Sequence, residues 1–376
     1  MSTLAGLLQR IRARVTAAFT APAAAAEWRA RYKALHAEVR ARGQRDRTER
    51  DEWKAKSARL SRRIPSVRAL QHALEGRIVQ ARARAAGPEA RMRGEAFAAR
   101  IPALASAVAS LDTLEQDARR TTVDGLVWWV PTPPTQSSAS IERILAKQSV
   151  PYRAISQTRD LAVGGIMLDV GANIGATAIP RAILGDAQAV FCAEPDEINH
   201  RCLVANVVQN GLSGLVLPDR VAISNRTGEV VIERGKMPGG HRIVHAAPGT
   251  MDGDLRVPSM TLDDWVAHHG IDARDVTFIK IDTQGSEMHV LTGAATLLAL
   301  PVVAWQIEVA PRLLRLAGSD PATLYRMMKA HFTYFMDLNV DAPGSRMRSI
   351  ADLDATLEYL ERGEAPQTDV VAYRTP

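Results

Sequence analysis

The chain has 376 residues, with 47 Lys and Arg against 41 Asp and Glu, a formal net charge of +6. That length allows two domains, and the absence of any apolar run of about 18 residues excludes a transmembrane helix. Neither of the two cysteines, Cys192 and Cys202, has metal-ligand spacing, and a reducing cytoplasm is their natural setting.

Charge divides the chain. Residues 1–120 hold 25 Lys and Arg against 12 Asp and Glu, whereas the remainder holds 22 against 29. The expected domains are therefore a basic helical region, 1–120, and a second domain, 121–376. The first is rich in Ala, Arg, Glu and Leu, which is helix-forming composition. Leu4, Leu7, Leu8, Ile11 and Val15 share one helical face, with Arg10, Arg12 and Arg14 elsewhere. Those arginines interrupt the apolar core that a signal peptide requires. Such a helix packs on the protein or lies peripherally on the inner face of an anionic membrane. Trp28, Tyr32, Leu35 and Val39, then Leu60, Ile64, Val67, Leu74 and Ile78, continue the three- and four-residue steps. They predict amphipathic helices broken near Gly43 and Pro65, in a hairpin or short coiled coil suited to self-association. The arginines alternate with acids such as Glu49, Asp51 and Glu52, so a solvated face is expected rather than a nucleic-acid surface.

VDGLVWWVP, Val123 to Pro131, reads as one strand, with Trp128 and Trp129 on opposite faces and core packing expected for both. Ser140 is placed to cap a helix from Ile141, and Pro151 to Leu161 forms a further helix. Next comes GGIMLDVGANIG, Gly164 to Gly175. An apolar strand there ends in Asp169 and then in glycines, as when a buried parallel strand turns into a helix. Gly171 and Gly175 lack Cβ atoms, leaving room for a ligand at the main chain, and the helix N-terminus suits an anion. Asn173 holds the middle place of the turn, so the closest phosphate approach of a dinucleotide site is not provided. A second strand, AVFCAEP, ends in Glu194, at the distance that suits ribose hydroxyls.

Strands are expected at Ile166–Val170, Ala189–Ala193, Leu215–Leu217, Thr277–Ile281 and Val302–Ile307. Phe332–Met336 and Val370–Tyr373 are expected as an antiparallel pair at one edge. Alternation with helices implies an α/β fold with a doubly wound, mostly parallel sheet. Asp169, Glu194, Asp282 and Glu308 all fall at the carboxyl ends of strands, where such sheets bind ligands. Residues 235–258, rich in Gly and Pro, read as a loop and substrate-side lid carrying His241, Arg242 and His245. Lys280 and Asp282 share one strand face, either as a structural ion pair or as a substrate-positioning pair.

The turn LDVGANIG, AEP at Glu194, RCLVANVVQNG, TLDDWV and FIKIDTQGSEMHVLTGA occur in one order. Together they resemble the FkbM-type family of S-adenosylmethionine-dependent methyltransferases over Gly165 to Glu308. The resemblance implies a seven-stranded Rossmann-like methyltransferase sheet, the cofactor S-adenosylmethionine, and methyl transfer to a hydroxyl of a sugar, glycan or secondary metabolite. RNA methylation and a non-catalytic scaffold are the alternatives. It implies that Asp169, Gly171, Ala172, Asn173 and Gly175 form the cofactor turn. Glu194 would hold the ribose, and Asp219 to Ala222, including Val221, would lie near the adenine. Asp282 would line the reaction site. Gln284 stands where the family often has Glu.

The reaction needs a base for the hydroxyl proton. Asp282, His241, His245 and Glu308 are candidates, Lys280 a positioning group, and Glu287 and His289 second choices. Nothing in the sequence calls for a metal.

Overall fold

The Ala- and Arg-rich stretch that ends the basic region forms three helices, α1 (Val67–Ala85), α2 (Pro88–Arg100) and α3 (Pro102–Ala109). Pro88 and Pro102 open the second and third, where a missing N–H costs nothing. The computed structural model describes residues 67–132, 154–155, 157–158, 161, 164–234, 241–244, 255–301, 303–341 and 347–374, all within one compact unit, Ile64–Pro376. The helices expected before residue 67, the cap at Ser140 and the site candidate His245 lie outside the described residues.

Val123 to Pro131 is not one strand. β1 (Ala118–Val123) and β2 (Leu126–Pro131) form an antiparallel hairpin about Asp124 and Gly125. Both turn residues have positive φ, 53° and 76°. Asp-Gly between two apolar or β-branched runs is the residue pair a two-residue hairpin turn demands.

The central sheet is built from β3 (Ile166–Val170), β4 (Ala189–Ala193), β5 (Val216–Asp219), β10 (Val276–Ile281), β11 (Ala304–Val309), β12 (Tyr334–Asp337), β13 (Arg348–Ser349) and β14 (Thr368–Tyr373). Its order is β13-β12-β14-β11-β10-β3-β4-β5. The five strands from β11 to β5 run parallel, and β14 pairs antiparallel with both β11 and β12. The late pair is thus antiparallel as expected, but β14 is inserted inside the sheet, and the short β13 takes the edge.

Alternation along the strands divides the sheet into two apolar faces. Met167, Val190, Phe278 and Ala304 face one core, with α4 (Ala178–Leu184), α5 (Glu197–Gln209), α1 and β2. Leu168, Phe191, Ile279 and Trp305 face the other. That core is completed by α6 (Leu262–His268), α7 (Glu287–Thr292), α8 (Ala295–Ala299), α9 (Pro311–Leu316), α10 (Pro321–His331) and α11 (Leu353–Glu361). Helices on both faces of a mostly parallel sheet make a doubly wound α/β fold.

The described helices of the basic region pack on this domain. Leu74, Ile78 and Ala81 follow helical spacing and are buried in the first core, each large side chain contributing about 1.5–3 kcal/mol. α2 gives Ala90 to one core and Phe97 to the other. The arginines here do not form a merely solvated face. Arg77 donates to Leu184 O (2.5 Å), Arg84 to Ala182 O (2.7 Å), Arg82 to Asn210 O (2.9 Å) and Arg93 to Gly214 O (2.9 Å). Three of these carbonyls end α4 or follow α5, where unpaired C=O groups and the helix dipole favour a cation.

The segment expected as a long loop, 235–258, holds one strand and most of another, and these join two strands that precede it. β6 (Ala222–Ile223), β7 (Gly228–Arg234), β8 (His241–Val244) and β9 (Leu255–Met260) form a four-stranded sheet in the order β6-β9-β7-β8. Only residues 235–240 and 245–254 of it lie outside the described residues.

Candidate active site

β3 delivers the chain into the glycine turn at the carboxyl edge of the sheet. Gly171, Asn173 and Gly175 all have positive φ, 78°, 52° and 90°. Asn is the residue after Gly that best tolerates this region. What makes the glycines necessary is the protein itself. A Cβ on Gly171 would lie 1.9 Å from Asp282 O, and one on Gly175 would lie 2.7 Å from Leu203 Cδ1. The turn amides are also engaged. Gly171 and Ala172 donate to Ala193 O (3.0 and 3.1 Å), and Asn173 N donates to Glu194 Oε2 at 2.8 Å. Glu194 therefore reaches back from the end of β4 to the turn, and its Oε1 accepts from Asp196 N at 3.0 Å. Burial, with Asp196 nearby, pushes the Glu194 carboxyl up to about 8.

At the end of β5, Asp219 Oδ2 accepts from Trp265 Nε1 at 2.9 Å and lies 3.0 Å from His269 Nε2. Trp265 and His269 are one turn apart on α6 and its cap, and His269 stacks on Phe97 with centroids 4.7 Å apart. The Asp219 carboxylate is thus held by protein groups. Val221 and Ala222, just beyond it, are buried.

The acids on the other side of the turn form one cluster. Asp169 and Lys280 are register partners on adjacent strands. Lys280 Nζ lies 3.4 Å from Asp169 Oδ1 and 3.2 Å from Asp282 Oδ2. Burial works against the charge on the ammonium, but Asp169, Asp282 and Asp369 outweigh this and raise its proton affinity. Burial also works against charge on Asp282. Lys280 and a hydrogen bond from Gln284 prevail and hold its carboxyl below the ordinary range. Asp169 is raised by its burial, which Lys280 only partly offsets.

Gln284 sits two residues after Asp282 with φ 55°. Its Nε2 donates to Asp282 Oδ1 (2.9 Å) and to Glu308 Oε2 (3.1 Å). Glu308 Oε1 accepts from Gln367 Nε2 at 2.5 Å. Burial, then the charges of Asp282, Glu287 and Asp369, push Glu308 well above the carboxylate range. That shift disfavours charge on Glu308 and makes it a poorer candidate base than Asp282. Solvent access agrees: the Asp282 side chain is 32% exposed, whereas Asp169 is 0% exposed and Glu308 2%.

Glu287, a second-choice base in the sequence, is committed elsewhere. Its carboxylate accepts from Thr283 N, Thr283 Oγ1 and Gly285 N, at 2.9–3.1 Å, and so ties down the loop that carries Gln284. His289 is half-buried in α7, and burial lowers its pKa. His241 lies in β8 opposite Arg234, in the four-stranded sheet and not in the sheet that carries the acids.

Three contributors escape sequence reasoning. Gln367 and Asp369 reach the cluster because β14 pairs with β11, which places Asp369 opposite Glu308. Asn206 of α5 donates to Ile174 O in the turn at 3.0 Å; the run RCLVANVVQNG contains it without indicating what it touches.

Residues 169–331 match the family model described as Methyltransferase FkbM domain. No curated protein matches the chain in sequence. Among solved structures, the chain is similar to the precorrin-6y C5,15-methyltransferase of Geobacter metallireducens, at 13% identity and TM-score 0.32, over 65% of this chain and 100% of that one. It is also similar to the tRNA m1G37 methyltransferase of M. jannaschii, at 8% identity and TM-score 0.33, over 69% of this chain and 55% of that one. A third is the 16S rRNA N2 G1207 methyltransferase of T. thermophilus, at 13% identity and TM-score 0.32, over 68% of this chain and 50% of that one. The chain thus spans only about half the length of the last two.

Proposed function

We propose that this chain, whose residues 169–331 match the FkbM methyltransferase model, is an S-adenosylmethionine-dependent methyltransferase that acts on oxygen, methylating a hydroxyl of a sugar, glycan or secondary metabolite. The observation that carries the reading is Asp282: an ionised, solvent-reaching carboxylate at the carboxyl edge of the sheet, backed by Lys280 and Gln284.

The residues present fit the cofactor. Both Asp169 oxygens are buried; Lys280 Nζ lies 3.4 Å from Oδ1, and Oδ2 has no hydrogen-bond partner, which suits a donor-bearing group of the cofactor. Glu194 borders the glycine turn and suits ribose hydroxyls. Main-chain groups from Asp219 to Ala222 suit the adenine, because the Asp219 side chain is already engaged. The bound cofactor supplies a methyl group on an electrophilic sulfonium. The protein aligns the acceptor oxygen with that methyl, worth up to about 7–11 kcal/mol. Asp282 accepts the hydroxyl proton, a step worth about 10²–10⁴-fold. Lys280 holds the second carboxylate oxygen, and Glu308 anchors the Gln284 amide that holds the first.

The test is calorimetric titration with S-adenosylmethionine and S-adenosylhomocysteine, with Glu194→Ala in parallel, then a radiolabelled methyl screen over hydroxylated glycans, small hydroxylated metabolites and RNA. Micromolar binding lost in the variant, with label on a hydroxyl oxygen, is the expected result. Label on a base nitrogen of RNA would overturn the acceptor, and absence of binding would overturn the reading.

A further inference from the structure

β2 is an edge strand on its side away from β1, yet its outward backbone groups are not left to water. They are paired by two side chains of α5. Asn210 Oδ1 accepts from Val127 N at 3.0 Å and its Nδ2 donates to Val127 O at 2.7 Å. One helical turn earlier, Asn206 Oδ1 accepts from Trp129 N at 2.6 Å and its Nδ2 donates to Trp129 O at 3.3 Å. Alternate strand residues direct their backbone groups to the same edge, about 6.8 Å apart. Residues four apart on a helix stack at about 6 Å. Two asparagines at that spacing therefore act as a missing neighbouring strand. Both are fully buried.

The two differ in what else they hold. Asn210 turns its remaining donor back to Asn206 O at 2.7 Å. Asn206 turns its remaining donor to Ile174 O, inside the glycine turn, at 3.0 Å. A single amide thus joins a strand that precedes residue 169, where the family match begins, to the turn that the proposed function gives to the cofactor. We infer that Asn206 is a positioning residue through which the β1–β2 hairpin sets the shape of the glycine turn and so the affinity for the cofactor. The cofactor part of this rests on the proposed function; the turn part does not.

The test compares Asn206→Ala with Asn210→Ala in the full chain. Both variants leave Trp129 or Val127 backbone groups unpaired, and both are expected to lower the unfolding midpoint by roughly 5 °C. Only Asn206→Ala is expected to speed amide exchange across residues 171–175 in the free protein, and to weaken S-adenosylhomocysteine binding about tenfold. Asn210→Ala should bind within about twofold of the parent. Equal effects of the two variants on exchange and affinity, or none from Asn206→Ala, would overturn the inference. Should Asn206→Ala fail to fold, Gly125→Val strains the hairpin turn from a distance, because Gly125 has φ 76°. It should then raise exchange in the glycine turn, and unchanged exchange would overturn the inference. If the parent protein binds no S-adenosylhomocysteine, the proposed function fails, while the exchange comparison still decides the link between hairpin and turn.

Discussion

Lys280 stands between two carboxylates, 3.4 Å from Asp169 and 3.2 Å from Asp282. One side of this contact is fully buried and the other reaches solvent. The same ammonium therefore compensates the buried Asp169 and favours the ionised form of Asp282, the proposed base. Replacing it should expose both roles. Lys280→Met is expected to destabilise the protein by about 3–5 kcal/mol, since Asp169 is left uncompensated. Adding Asp169→Asn should restore part of that loss, and urea unfolding of the four proteins in a double-mutant cycle checks it.

Glu194 makes the free protein sensitive to pH. Its carboxyl has a reference value of 4.5 and is raised to about 8 in the fold. The folded state holds this proton more tightly than the unfolded state. Its contribution to stability is fully present below about pH 4.5 and is lost as pH rises through about 8. Unfolding free energies between pH 5 and pH 8.5 should fall, and Glu194→Gln should make the fall shallower. An unchanged slope in the variant would locate the proton elsewhere, for example on Glu308.

Gly171 and Gly164 offer a controlled pair. Both have positive φ, 78° and 91°, but a Cβ on Gly171 would meet Asp282 O at 1.9 Å while one on Gly164 meets nothing within 4 Å. Gly164→Ala pays backbone strain alone, about 1–2 kcal/mol. Gly171→Ala must also separate the glycine turn from the loop after β10. Loss of S-adenosylhomocysteine binding by more than about 100-fold is expected in Gly171→Ala only, read by calorimetry on the folded fraction.

Gln284 keeps two carboxyls apart with one neutral amide. Gln284→Glu places a third carboxyl within hydrogen-bonding reach of Asp282 and Glu308, and like charges this close cannot all ionise. The acidic limb of the methyl-transfer pH profile should move up by about one unit. Asp282→Asn should lower the rate about 10²–10⁴-fold with cofactor affinity little changed. A profile that does not move in Gln284→Glu would remove Asp282 from the role of base.

The parts legible in the sequence are those governed by local periodicity. β3 and β4 occupy the expected residues, Ile166–Val170 and Ala189–Ala193, because an apolar run ending in an acid and a turn leaves little freedom. Lys280 and Asp282 could be joined because a strand repeats every two residues. The hairpin at Asp124 was not read: Asp-Gly carries the turn signal, but the apolar run LVWWV that follows makes Val123 to Pro131 read as one strand. Contacts set by strand order were not legible. Nothing near Gln367 indicates that it will meet Glu308, and nothing in α6 indicates that Trp265 and His269 will clasp Asp219. The arginine caps need α1 to lie against the ends of α4 and α5, a tertiary fact that composition cannot carry.

The insertion of β14 between β11 and β12 also bears on how the chain reaches its fold. Both neighbours precede it in sequence, so each presents an open edge until residues 368–373 arrive. Edges of this kind are templates for wrong pairing, and closing them requires contacts distant along the chain, which form slowly. Refolding should therefore pass through a stage in which the half of the sheet from β11 to β5 can form while β12 waits, with Glu308 still lacking Gln367. That stage is where aggregation competes with folding, and the last strand to dock is the one that completes the acid cluster.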